Sequence, residues 1–380
     1  MGTRICELLD EREITMINIS AIRASLTAIA AIAACASSVP PALTQGGKLR
    51  IVQTNFAGDT IQIIDPTTNK VVNQIKGVEA AHGLVVAPDG SRIYISEEAT
   101  NTVTVFDGKT LQVIKRIPLS GNPNLIDITP DGRWIYAAIA LTYNDLSEFP
   151  QIKANASGGI DVIDTASLEN VKTIPIRGGI HDLNVTPDGK YVIAGSSRGA
   201  RPPANMMNVI DTRTNDFAWK MLMNPAPSPM AISSNPDGST KWIFAQLGGM
   251  NGFQVVDFAT QKVINEIKLP EVPADKQVRH GPPAPSHGIA LTADQKTLLV
   301  NSRLNSTLYA YSVPDLKLLG AVPLGGKGAG WLTITPDDKT AYVANEHTNN
   351  VSVVDIKSLK EVALIATGFA PARNAAWMAP

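Results

Sequence analysis

The sequence predicts an all-β fold, a seven-bladed β-propeller of four-stranded blades closed by the C-terminal strand joining the N-terminal blade. Two recurring anchors and the lack of helical stretches point there. The first anchor is an apolar run closed by Pro-Asp-Gly or a relative. The second is a short apolar strand ending in Asp. No run after residue 45 supports a helix of ordinary length.

The first anchor stands at Pro88-Asp89-Gly90, Pro130-Asp131-Gly132, Pro187-Asp188-Gly189, Pro236-Asp237-Gly238, Ala293-Asp294-Gln295 and Pro336-Asp337-Asp338. The final residues, Ala375 to Pro380, read as a seventh copy cut off at the Pro. The second anchor is Ile64-Asp65, Phe106-Asp107, Ile163-Asp164, Ile210-Asp211, Val256-Asp257 and Val354-Asp355, with Tyr311-Ser312 as its degenerate member. In blade two the four strands read as His82–Ala87, Arg92–Ser96, Thr102–Asp107 and Gln112–Pro118, apolar and β-branched residues separated by turn residues. Blade one lacks an inner strand at its start, so Asn374–Ala379 should pair beside Arg50–Thr54 and leave no long open edge. The domain reading is a targeting segment and linker over residues 1–45, then a single propeller over 46–380.

Two stretches resemble the YVTN (YncE-like) seven-bladed propellers of bacterial extracytoplasmic proteins. These are Leu84 to Ile95 with Asn101 to Asp107, and Leu332 to Asn345 with Asn350 to Asp355. The resemblance covers residues 48–380. It implies the propeller and an extracytoplasmic location, in a family that includes binding modules, lactonase-like relatives and proteins of no known activity. The Gly-His and Trp-Asp pair that each blade of a WD-repeat propeller needs does not recur.

Lys plus Arg number 33 and Asp plus Glu 34, a net charge of -1, which leaves no electrostatic footprint for nucleic acid. Both cysteines, Cys6 and Cys35, precede the globular part, so it holds no disulfide, Cys metal ligand or thiol nucleophile. Ala24–Ala34 is too short an apolar stretch to span a bilayer and fits the core of a secretory signal. Ile32-Ala33-Ala34-Cys35 has the form of a lipobox, which would place a lipid anchor on Cys35, against ordinary cleavage near Ala36. The expected location is exported and periplasmic.

Spacing between anchors carries the next inference. Pro anchor to strand-three Asp takes 19 residues in blades two, six and seven, but 34 in blade three (Pro130 to Asp164), 24 in blade four and 21 in blade five. The step from Asp257 to Ala293 is 36, against 23 to 25 elsewhere. The insertions Leu141–Gly158, Ser197–Met206 and Pro270–Ser286 therefore all fall in connections that a propeller gathers on one face, the usual place for a site.

Three of the five histidines share one register, six residues before the anchor. The slots read Asn374, His82, Asn124, His181, Met230, His287 and Gly330 from blade one to blade seven. Imidazoles from three non-adjacent blades, converging on the axis, would hold a divalent transition metal with open positions for water or substrate. Against this, His-Gly is a frequent pair at this point of the family repeat, so the trio also reads as inherited polar lining. Glu97 and Glu346, placed in equivalent slots at the end of strand two, are candidates for carboxylate ligand or general base. Arg198, Arg201 and Arg373 are candidates for holding an anionic ligand. Tyr143, Asn144, Asp145, Glu148 and Phe149 are candidates for a lid. The strand-three Asp residues read as turn elements.

The expected function is an exported propeller that binds a small molecule at the channel mouth. Metal-dependent chemistry at the three-His centre would make it a metal-assisted hydrolase, lyase or oxidoreductase on a small substrate. A non-catalytic protein- or polymer-binding propeller, and a scaffold subunit of a periplasmic dehydrogenase, are the alternatives.

Overall fold

The computed structural model describes residues 47–142, 157–196, 205–223, 225–278 and 284–380. They form seven four-stranded antiparallel sheets. In blades two to seven the strands follow one another in sequence order across the sheet. In blade one the order begins with Pro371–Ala379, followed by Lys48–Asn55, Thr60–Asp65 and Lys70–Lys76. The chain ends pair as expected, Arg50 opposite Trp377 and Gln53 opposite Asn374. The seven inner strands contact one another in a closed cycle, which makes the propeller.

Packing explains why the ring must close. Second strands such as Arg92–Glu97 and Thr340–Asn345 are buried along almost their whole length, whereas the outer strand Lys262–Lys268 is mostly exposed. Each seam between neighbouring blades holds its own apolar cluster. Tyr94 and Val105 of blade two meet Ile126 and Ile135 of blade three, and Tyr342 and Val353 of blade seven meet Ile51 and Ile64 of blade one. A sheet apolar on both faces can hide both only between two neighbours.

The strand-three Asp residues cap the turns to the outer strand. Asp107 Oδ1 accepts hydrogen bonds from the Lys109 and Thr110 amides and the Thr110 hydroxyl, and Leu111 closes the turn at φ 58°. Asp257 and Asp355 repeat the arrangement through Thr260 and Ser358. The same donors hold these carboxyls below the ordinary value of 3.8.

Strand pairing corrects the alignment of two blades. In blade five Ile232 pairs with Ile243, whereas in blade two Val86 pairs with Ile93. The blade-five hairpin is longer on both sides, so the counterpart of His82 is Ser228, not Met230. In blade one Asn374 pairs with Gln53 and Pro371 with Asn55, so the counterpart is Ala372, not Asn374. Counting back from a proline works only where the hairpin length is constant.

At one end of the channel the strand 2–3 turns meet the blade-to-blade connections. There the amides of Glu98, Arg303 and Glu346 donate to the carbonyls of Ala80, Pro285 and Gly328. Three insertions were expected at this end. Residues 143–156 and 197–204, most of the first two, and 279–283, a smaller part of the third, lie outside the described residues.

The blade one–two seam has its own clasp. Trp377 Nε1 donates to the Gly90 carbonyl at 3.0 Å, and Gly90 sits at φ 73° with space for a Cβ only 2.3 Å from the Met378 carbonyl oxygen. Gly90→Ala should cost on the order of 3 kcal/mol. Gly77→Ala, at φ 75° with nothing within 4 Å, should cost about 1 kcal/mol. Urea denaturation of the two variants checks the contrast.

A second expectation concerns acid. The turn carboxyls have folded pKa values below their unfolded ones, so their contribution is complete above the ordinary value of 3.8 and is lost as pH falls through the depressed range. Thermal melts should show stability dropping below about pH 4. Asp355→Asn should blunt that drop, and an unchanged acid limb would contradict the capping role.

Candidate functional site

Every inner strand carries a register irregularity at the same point, for example between Ala81 and Leu84, Ile180 and Asp182, and Ser286 and Ile289. A bulge re-aims the side chains beside it, which is how seven strands turn residues toward one axis. The residues there are Ala372, His82, Asn124, His181, Ser228, His287 and Gly330, followed by a second set one position on: Arg373, Gly83, Leu125, Asp182, Pro229, Gly288 and Trp331.

The three histidines share this end of the channel, with Trp331 against two of them. The His181 and His287 rings lie edge-to-face with centroids 6.3 Å apart. The Trp331 indole meets His287 at 4.5 Å and His82 at 6.3 Å. Leu125 and Ala372, with Phe56 beside them, pack around the same indole and form an apolar floor. His181 Nδ1 lies 2.9 Å from Ser228 Oγ, the blade-five member of the slot. Among the described residues no group of three or more His, Cys, Asp or Glu side chains is arranged to hold a metal ion.

The carboxylates at the mouth differ from those anticipated. Glu97 pairs with Thr102 and Asn345 with Asn350, so Glu97 corresponds to Asn345, and Glu346 corresponds to Glu98 and Arg303. Glu97 is 1% exposed and faces its own blade, accepting from the Thr104 hydroxyl and, at 2.7 Å, from the Glu79 amide, with Arg116 Nε 3.8 Å away. It ties the blade together and does not join the histidines. Glu98 does: its Oε1 lies 3.3 Å from His82 Nδ1 and accepts from Asn124 Nδ2 at 2.9 Å. Burial pushes the Glu98 carboxyl up to about 7, against the opposing pull of the Asn124 hydrogen bond. Glu346 pairs with the Arg303 guanidinium beside Gly330, at the blade-seven slot.

One position farther along, charge lies inside the channel. Arg373 stacks its guanidinium 4.6 Å from the Trp331 ring centroid. Asp182, in blade four, is 1% exposed, and the Leu183 and Met230 amides act on its carboxylate. Burial raises its pKa to about 7, with Asp127 adding to the rise and Arg373 and the Leu183 and Met230 amides opposing it. Asp127 is raised to about 6, also by burial, although the Val185 and Ile128 amides both donate to it.

Of the anticipated residues, His82, His181, His287, Glu346 and Arg373 come to this end of the channel. Arg198, Arg201, His280, the lid candidates Tyr143 to Phe149 and Cys35 lie outside the described residues. Sequence reasoning passed over Glu98, Arg303 and Trp331. The first two stand ten residues after their anchors, as Glu346 does, so consistent counting would have found them.

Comparisons with known proteins agree with this architecture. Residues 259–366 match the family described as "Lactonase, 7-bladed beta-propeller". The uncharacterized protein YwhL of Bacillus subtilis (strain 168) is 24% identical over 329 residues, 84% of this chain and 63% of that protein. Hydrazine synthase subunit beta of Kuenenia stuttgartiensis is 24% identical over 278 residues, 67% of this chain and 59% of its own. This chain thus spans less than two thirds of the length of these relatives. Among solved structures, Kuenenia stuttgartiensis hydrazine synthase superposes with a TM-score of 0.65 at 21% identity, covering 84% of this chain and 98% of that one. The periplasmic gluconolactonase PpgL of Pseudomonas aeruginosa superposes with a TM-score of 0.67 at 16% identity, covering 88% and 100%. At these identities the likeness is one of fold.

Trp331 is 2% exposed and joins the floor to two of the histidines. Trp331→Ala should destabilise by about 3–5 kcal/mol, as loss of a buried indole does. Urea denaturation reads this, and a change under about 1 kcal/mol would mean that the floor is not packed.

Proposed function

We propose that this protein is an exported propeller that binds a small, oxygen-rich molecule at the His-lined mouth and acts on it by acid–base chemistry. One observation carries the reading: His82, His181 and His287 gather with Glu98 over the Trp331 floor. A carboxyl with a pKa of about 7 beside an imidazole can both give and take a proton at neutral pH. A sugar lactone is the substrate class to try first. The partial match to a lactonase family and the likeness to a gluconolactonase support that choice. Glu98 and His82 would move the proton of an attacking water, and the Arg303–Glu346 pair would hold ring oxygens.

Hydrolysis of glucono-1,5-lactone, followed at pH 7, tests the reading. Glu98→Gln should lower kcat about 100-fold or more with KM little changed. Lactone binding without turnover would leave a binding module, and neither binding nor turnover would end the proposal.

A divalent transition metal on His82, His181 and His287 is the narrower version. The three rings would have to move to close on one ion, since no such cluster stands among the described residues. Stoichiometric metal in the purified protein, lost in His181→Ala, would support it, and metal-free protein with full activity would remove it.

A scaffold subunit is the second reading, supported by the likeness to hydrazine synthase and by apolar residues such as Val72, Ile114, Ile264 and Leu319 left exposed on outer strands. Size-exclusion chromatography of protein from its native source would reveal a partner. Export, and a lipid on Cys35, belong to the same proposal, and Cys35→Ser should shift the protein from membranes to the soluble exported fraction.

A further inference from the structure

We infer that a groove at the end of the ring opposite the histidine mouth binds a neutral oligosaccharide chain. The groove is a cavity of about 720 Å³ among the turns that join first to second strands, and blades three, four, five and six all line it. It shares no residue with the mouth and does not rest on the mouth's chemistry. Asp131, Arg133 and Arg213 on its rim are exposed, so the groove is open and a ligand lies along it rather than inside it.

Departures from the repeat mark the place. Lys190, Lys296 and Lys339 each stand two residues after the Asp of their turn and pair with it at 3.3, 3.8 and 3.2 Å. Arg133 holds that slot in blade three, yet it leaves Asp131 and lies over Trp134, 4.8 Å from the ring centroid. Its guanidinium makes no ion pair or hydrogen bond among the described residues. Asp131 spends Oδ1 on the Thr129 hydroxyl and the Arg133 amide and so has Oδ2 to offer. Arg213 reaches only Asp211 of its own turn, at 3.7 Å, with its side chain 84% exposed. In blade six Gln295 stands where blades two to four carry the turn glycines Gly90, Gly132 and Gly189. Its Oε1 accepts from the Ser234 amide at 2.7 Å, which fixes the side-chain amide in the groove wall.

This lining selects the ligand. It holds two guanidiniums, Arg133 and Arg213, and two carboxylates, Asp131 and Asp188. A polyanion would meet the aspartates and a polycation the arginines. A polyhydroxyl chain suits both, since a hydroxyl donates to a carboxylate oxygen and accepts from a guanidinium. Trp134, half-buried against the apolar cluster of the blade three–four seam, adds flat apolar surface for the C–H face of a sugar ring. The turns around the groove are closed by their own hydrogen bonds, Gly132 to Thr129 and Gly189 to Thr186, so no free sheet edge is there to take a peptide strand.

Isothermal titration calorimetry with maltohexaose, cellohexaose, glucose and hexagalacturonate tests the groove. At least one neutral hexasaccharide should bind one to one, and at least about tenfold more tightly than glucose. Arg133→Ala and Arg213→Ala should each weaken it about tenfold through lost charge-assisted hydrogen bonds. Arg213→Ala, on an exposed side chain, should leave the melting temperature unchanged. In NMR spectra the Trp134 indole N–H, assigned with Trp134→Phe, should shift when the saccharide is added while that of Trp331 stays in place. Failure of both neutral hexasaccharides to bind, tighter binding of hexagalacturonate, a shift at Trp331 alone, or unchanged affinity in both arginine variants would overturn the proposal. Lactone turnover on the same preparations reports on the mouth alone, so either result can fail without the other.

Discussion

The seams between blades are the constraint from which the rest follows. Each sheet is apolar on both faces, and its second strand is buried almost throughout, so no blade can stand with one face in water. The seven seam clusters each draw on two neighbours. Blade one meets this demand only with an inner strand from the far end of the chain, and the Trp377–Gly90 clasp fixes where that strand sits.

Chemistry is laid over this frame at the inner end of the blades, beside a small apolar cluster of its own. The bulge in every inner strand sits at the same point of its blade and so brings two adjacent positions per blade to the same end of the channel. What stands there varies from Gly and Ala to His, Asp, Arg and Trp. Part of that variety is dictated by packing: a Cβ on Gly83 or Gly288 would lie 2.6 or 2.0 Å from a carbonyl oxygen of the next blade, and Trp331 is 2% exposed. Glu97 and Glu98 show the division: the first is spent on its own blade, and the next residue faces the channel.

The blade count, the closure by the chain's end and the capping role of the strand-three Asp residues were legible because each rests on a local pattern repeated along the chain. The histidine register was legible in blades two, four and six, where the hairpin keeps its length. It failed in blade five, where a longer hairpin moves the slot to Ser228, and in blade one, where no hairpin joins the paired strands. Glu98, Trp331 and the Arg373–Asp182 pair were not legible as a group. They come from four blades, and only closure of the ring brings them together, a contact of long sequence separation that no local pattern records.

Closure by the last residues has a consequence for the life of the chain. Until Pro371–Ala379 has been synthesised, blade one lacks its inner strand and the seams on both sides of it stay open. A partly made chain can stack blades but cannot seal the circle, so the finished ring arrives in one late step. Every nascent chain therefore passes through an open arc with two unsealed apolar flanks, and shielding of those flanks is needed for as long as the final strand is delayed.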